Sequence, residues 1–198
     1  MGGTFNPPHL GHLIIADEVR TELDLDEVWF MPNQEPPHKE SPNEVTSMHR
    51  LEMVQRAIKD HPQFHVQTIE LDRPGRSFTY DTMKLLMKQY DHEFYFIIGA
   101  DMIEYLPKWY KIEELLRLIN FVGVNRPDYK HEPPYPILTV SIPNLEVSSL
   151  MIRNRLKEQR SIRYFVPDAV REYIEENGLY ESRKSIRNCQ KTIDKAPL

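Results

Sequence analysis

The residue types best suited to chemistry crowd at the start of the chain, in Gly2-Gly3-Thr4-Phe5-Asn6-Pro7-Pro8-His9-Leu10-Gly11-His12. Adjacent glycines let the backbone approach a ligand closely, the prolines stiffen the turn, and an amphipathic run begins at once after them. That order gathers backbone N–H groups and the positive end of a helix dipole around one point, where a phosphate can be held. His9 and His12 stand three apart, so both imidazoles fall on one helical face at that terminus. Gly11 between them leaves room for something to lie flat against the helix. Plainer uses of a histidine pair are capping, packing or metal ligation. No carboxylate or third histidine stands nearby at ligand spacing, so no residue is assigned as a metal ligand.

A second candidate lies far along the chain, in Val147-Ser148-Ser149-Leu150-Met151-Ile152-Arg153. Ser148 or Ser149 can cap a helix by accepting backbone N–H bonds, and Arg153, one turn on, carries a permanently charged planar fork suited to phosphate oxygens. Alone, this would read as an ordinary helix start. Paired with the opening motif, it reads as a second phosphate-binding helix terminus.

Both motifs need a scaffold, and the apolar pattern between them supplies one. Strands are expected over Val28–Met31, Phe64–Leu71, Phe94–Ile98, Phe121–Val124 and Ile137–Val140, rich in β-branched and aromatic residues. Helical spacing marks Leu10–Glu22, Met48–Lys59, Tyr80–Gln89, Ile112–Leu118, Ser148–Lys157 and Asp168–Glu176. This alternation implies an α/β fold, Rossmann-like and doubly wound, with a mostly parallel sheet and helices on both faces. Pro7-Pro8, Pro36-Pro37 and Pro133-Pro134 mark stiff loops able to hold a ligand. No repeat of solenoid or propeller spacing is present.

With 198 residues, 40% hydrophobic and 28% charged, the chain suits one domain with a sizeable core. That domain is expected over 1–182. Residues 183–198 form a basic tail, expected to be mobile: 181–198 carry +3, leaving −8 on the body and −5 in all. This balance gives no reason to expect nucleic acid or an anionic membrane as partner. A homo-oligomer stays open. No apolar run is long enough for a membrane span and no signal region opens the chain, so the cytoplasm is expected. The single cysteine, Cys189, excludes an internal disulfide.

The opening run resembles the first signature of the adenylyltransferase branch of the nucleotidylyltransferase superfamily, whose members share His-x-Gly-His on a Rossmann-like fold. Ser148 to Arg153 resembles the second signature. Pro32-Asn33, Pro36-Pro37-His38-Lys39, Ser77 to Thr82, Gly99-Ala100-Asp101, Leu106 to Tyr110, Val124 to Pro127 and Gly178-Leu179-Tyr180 are similar to bacterial nicotinate-nucleotide adenylyltransferases, over residues 2–182. The resemblance implies adenylyl transfer from ATP, with Mg²⁺, to nicotinate mononucleotide. Nicotinamide mononucleotide, phosphopantetheine and nucleotide binding without turnover are the alternatives.

On that resemblance His9, His12 and Arg153 are the catalytic candidates. Gly2, Gly3, Thr4, Phe5, Gly11, Gly99, Asp101, Arg126, Ser148 and Ser149 are assigned to ATP, with Asp101 meeting the ribose or magnesium and Arg126 the phosphates. Asn33, His38 and Lys39 are assigned to the mononucleotide phosphate. Trp109 offers a flat face to the pyridine ring, while the Tyr110 N–H and Thr79 hydroxyl receive its carboxylate. Trp109 also suits the core, and Arg126 a salt bridge. Three departures from the family pattern stand out, the basic tail beyond residue 182 among them. Leu150 occupies a position where Ser or Thr is frequent. Met1 directly precedes Gly2, so the apolar strand that normally anchors the glycine turn is expected to be missing, with translation starting upstream.

Overall fold

A computed structural model describes residues 1–34, 45–73, 75, 77–125 and 135–180. All its strands pair in parallel. One sheet runs β1 (Gly2–Gly3), β2 (Val28–Pro32), β3 (Phe64–Val66), and the other β4 (Tyr95–Gly99), β5 (Asn120–Asn125), β6 (Leu138–Ser141). β1 lies against β4, and a Cβ on Gly2 would come 3.1 Å from the Phe96 ring. The sheets therefore meet along β1 and β4 in the spatial order β3-β2-β1-β4-β5-β6. The order reverses between β1 and β4, the switch point where a doubly wound sheet binds ligands at its strands' C-terminal ends.

Where the apolar strand ahead of Gly2 is expected to be missing, the structure has only the two-residue β1, made of the glycines themselves. Its register is Gly2 to Met31 and Gly3 to Pro32, and the Met31 N–H donates to the Met1 carbonyl at 3.0 Å. Main-chain pairing alone holds this short strand in place, for neither glycine has a side chain to bury.

Why the sheet is covered on both sides follows from strand alternation. On β2, Val28 and Phe30 enter one cluster with Val19, Val54 and Val122, while Met31 enters another with Met83, Leu106, Leu115 and Phe121. The first cluster is covered by α1 (Leu10–Glu22) and α2 (Ser47–Ile58), the second by α3 (Thr79–Gln89) and the short α5 (Ile112–Leu115). Fully burying a side chain such as Phe30 stabilises by roughly 1.5–3 kcal/mol. A third cluster joins Met53 of α2 to Ile152 of α6 (Ser149–Lys157) and to Val170 and Ile174 of α7 (Asp168–Glu176).

Two expected elements are cut short. The strand expected over Phe64–Leu71 stops at Val66, because the Gln67 side-chain carbonyl accepts from the Ile69 N–H at 3.1 Å and the Thr68 carbonyl accepts from Leu71 and Asp72. The helix expected over Ile112–Leu118 ends at Leu115, beyond which Arg117 and Leu118 donate three residues back, in 3₁₀ fashion. Short helical turns at Ala100–Ile103 (α4) and Leu106–Lys108 were not expected from the pattern. Among the described residues no helix is long and apolar enough to cross a membrane. The tail 183–198 lies outside the described residues.

Candidate active site

The glycine turn leaves β1 and feeds α1 through a cis Asn6–Pro7 bond. Phe5 adopts φ 50°, sparsely populated for a bulky residue, and its ring folds back so tightly that a Cβ on Gly3 would come 3.0 Å from it. The ring is 2% exposed and meets the His12 ring edge-on at 5.1 Å, so it forms the floor beneath the histidines. Phe5, assigned above to ATP, thus places its side chain in the core.

His9 and His12 stack, with ring centroids 3.7 Å apart and 25° between planes. The His9 N–H donates to His12 Nδ1 at 3.1 Å, which leaves Nε2 as the protonated, donating nitrogen of a neutral His12. Burial lowers the His9 imidazole to about 4. Burial, helped by His9, holds His12 well below the usual histidine range. Both rings are neutral at pH 7. His9 Nδ1 is buried without a partner among the described residues, an unmet bond of the kind functional sites carry. The space left by Gly11 belongs to His9 itself, since a Cβ there would stand 3.1 Å from His9 Nδ1.

The second motif closes onto the first. Ser148 caps α6, accepting from the Met151 N–H at 3.2 Å. Ser149 Oγ donates to the Pro7 carbonyl at 2.8 Å, and Arg153 Nη1 donates to the Asn6 carbonyl at 2.7 Å. A third support comes from Arg50 on α2, 3% exposed and without an ion pair among the described residues. It donates to the carbonyls of Thr4 (2.8 Å), Asn33 (2.6 Å) and Gln34 (3.0 Å) and to Asn33 Oδ1 (3.1 Å). Asn33 in turn donates Nδ2 to Thr4 Oγ1 at 3.4 Å. The turn after β2 and the turn after β1 are thereby tied together by a buried cation.

These turns form one wall of a cleft of about 1030 Å³, at the upper end of the range for small-molecule sites. Gly2, Gly3, Thr4, His9, Gly11, His12, Asn33, Gly99 and Ser148 line it, as do Thr79, Trp109 and Tyr110. Trp109 is half-buried, edge-on to Phe96 and Phe121 at 5.9 Å each, so it serves the core while lining the cleft. Tyr110, 46% exposed, packs on Phe78 at 4.9 Å.

Comparison with known proteins places this arrangement. The cytidylyltransferase-like family model matches residues 1–155. A nicotinate-nucleotide adenylyltransferase of Bacillus subtilis is 54% identical over 182 residues, 91% of this chain and 96% of its own. The chain belongs to the nicotinate-nucleotide adenylyltransferase family. A probable member from Geobacillus thermodenitrificans is 52% identical over 98% of this chain and 90% of its own. The fold is shared with a solved Plasmodium falciparum nicotinic acid mononucleotide adenylyltransferase complexed with NaAD, at TM-score 0.77 and 22% identity, covering 90% of this chain and 94% of that one.

Set against this family's expected residues, the described structure gathers most of them at or beneath one cleft. His38, Lys39 and Arg126 lie outside the described residues, as does the Asp101 side chain. Asn33, assigned to a phosphate, has its amide engaged by Thr4 and Arg50. Leu150 is 59% exposed at the start of α6 and outside the cleft lining. Sequence reasoning missed Arg50, whose signal was only a basic residue at a position the α2 periodicity buries. It also missed Ser77, which lines the cleft with a buried hydroxyl unpartnered among the described residues.

Proposed function

We propose that this chain transfers the adenylyl group of ATP to nicotinate mononucleotide, giving nicotinate adenine dinucleotide and pyrophosphate, in the cytoplasm. The observation that carries this reading is the stacked, neutral His9–His12 pair at the start of α1, lining one cleft together with Trp109, Tyr110 and Thr79. The Thr79 hydroxyl and the Tyr110 N–H make no hydrogen bond within the protein among the described residues, which suits them to a ring carboxylate.

In the reaction an oxygen of the mononucleotide phosphate attacks the α-phosphorus of ATP. That P–O bond forms as the bond to the bridging oxygen breaks, and pyrophosphate leaves with the electron pair. No protein nucleophile takes part, so positioning and charge stabilisation do the work. His12 offers its Nε2–H to a phosphate oxygen, while a bound polyanion raises both imidazoles towards the protonated form. Arg153 fixes the Asn6 carbonyl and sets a positive charge behind the phosphates. His38 and Lys39 serve the mononucleotide phosphate, and Asp101 and Arg126 the ATP. Mg²⁺ enters with ATP as part of the substrate, held by phosphate oxygens.

The test is Mg²⁺-dependent pyrophosphate release from ATP with nicotinate mononucleotide, nicotinamide mononucleotide and phosphopantetheine supplied separately. Fastest release with the nicotinate substrate is expected. Preference for another acceptor reassigns Trp109, Tyr110 and Thr79, and ATP binding without release reassigns the protein to nucleotide binding.

A further inference from the structure

The family model ends at residue 155, yet the turn that carries the histidines is finished by a residue well beyond it. Gly178 takes φ 57° and Tyr180 φ 67°, so the chain doubles back after α7. Leu179, between them, is 6% exposed and donates its N–H to the Ile174 carbonyl at 3.0 Å. A left-handed backbone costs a tyrosine free energy, and such strain persists where the surroundings enforce it. Here the return carries the Tyr180 ring into the cluster that holds Met53 and Ile152, where it is 6% exposed. Its hydroxyl donates to Asn6 Oδ1 at 2.5 Å, across 174 residues of chain.

We propose that Tyr180 is a positioning residue for adenylyl transfer: it clamps the side chain of Asn6 and so holds the Asn6–Pro8 turn that aims His9 and His12. The proposal rests on the function read above. Three residues from two stretches, α6 and the return after α7, grip this turn, each at a different atom. Ser149 takes the Pro7 carbonyl, Arg153 the Asn6 carbonyl and Tyr180 the Asn6 side chain. Asn6 stands three residues before His9 with two stiff prolines between, so displacement of Asn6 is passed to the imidazoles rather than absorbed. Arg50 and Arg153 are the charges nearest the phenol, while burial pushes its pKa up, so it stays a protonated donor. The phenol itself is absent from the cleft lining and acts through Asn6.

Tyr180→Phe keeps the buried ring and removes only the hydroxyl. The expected result is about tenfold lower kcat at saturating substrates and about fivefold weaker calorimetric affinity for a non-hydrolysable ATP analogue, since small misplacements at a reacting centre cost this much or more. A tyrosine that only packed would lower the melting temperature and leave kcat per folded molecule unchanged. Asn6→Ala removes the acceptor instead of the donor and is expected to match it. The double variant is then expected to be no worse than Asn6→Ala alone, as for two groups acting as one pair. Wild-type kcat and analogue affinity in Tyr180→Phe, or losses that multiply in the double variant, overturn the proposal. Absence of pyrophosphate release by the wild type overturns the functional reading instead. The analogue affinities then decide for Tyr180 alone, fivefold weakening supporting the clamp and equality ending it.

Discussion

At the N-terminal turn each histidine keeps a ring nitrogen without a hydrogen bond among the described residues, while at the start of α6 the serine hydroxyls and Arg153 are engaged. His9 Nδ1 is buried without a partner among the described residues, and His12, which lines the cleft, keeps Nε2 as its donating nitrogen. Ser148, by contrast, caps its own helix, Ser149 bonds Pro7, and Arg153 bonds Asn6. In sequence the two motifs look alike, each a polar cluster opening an amphipathic helix. Unmet hydrogen bonds mark where a ligand is expected, and satisfied ones mark what holds that place still. The second motif is thus largely a brace for the first.

The largest effect expected from this difference is at His12. In the proposed reaction His12→Ala removes a donor to the developing transition-state charge, and such losses run to about a hundred- to a thousandfold in turnover. Pyrophosphate release should fall by that order while circular dichroism stays close to wild type and an ATP analogue binds only several-fold more weakly. Near-normal turnover would take His12 out of the mechanism and leave the pair as packing.

Next in size is a pH effect on stability. His9, at about 4 in the folded chain against 6.5 in the unfolded one, stays neutral while the unfolded chain takes up a proton. The unfolded state therefore binds more protons between these values, and stability falls as the pH drops from 6.5 towards 4. The loss approaches about 3 kcal/mol at the lower end. Above pH 6.5 the effect vanishes, and His12 adds a loss of the same sign. Melting curves at pH 7, 5.5 and 4.5 read it, with His9→Asn as the control that should flatten the slope. An equally steep acid slope in that variant would assign it to other groups, His12 first among them.

What the sequence disclosed, and what it hid, divides along the same line. The bounds of α1 and α7 coincide with those expected, because amphipathic spacing is written in side chains. β3 was overextended for the same reason: apolar alternation runs on past Val66, while the turn that ends the strand is made by the Gln67 side chain and the Thr68 carbonyl. The histidines were legible from type and spacing. Arg50 was not, since three of its four acceptors are main-chain carbonyls, which no residue letter records. Trp109 reads as core from its letter and as core in its packing, and only the resemblance singled it out for the cleft it also lines.

The smallest effect separates the neighbouring serines and sharpens the contrast most. Ser148→Ala deletes a helix cap, which costs about 1 kcal/mol and leaves the Asn6–Pro7 turn untouched. Ser149→Ala deletes a bond of similar worth, but one made to Pro7 itself. Both variants should melt a few degrees lower. Only Ser149→Ala is expected to lose kcat, about three- to fivefold, because its hydroxyl braces the turn and the other's braces α6. Equal losses of kcat would mean that the whole helix start, rather than one hydroxyl, positions the histidines. A loss confined to Ser148→Ala would return α6 to the role its sequence first suggested, a phosphate site in its own right.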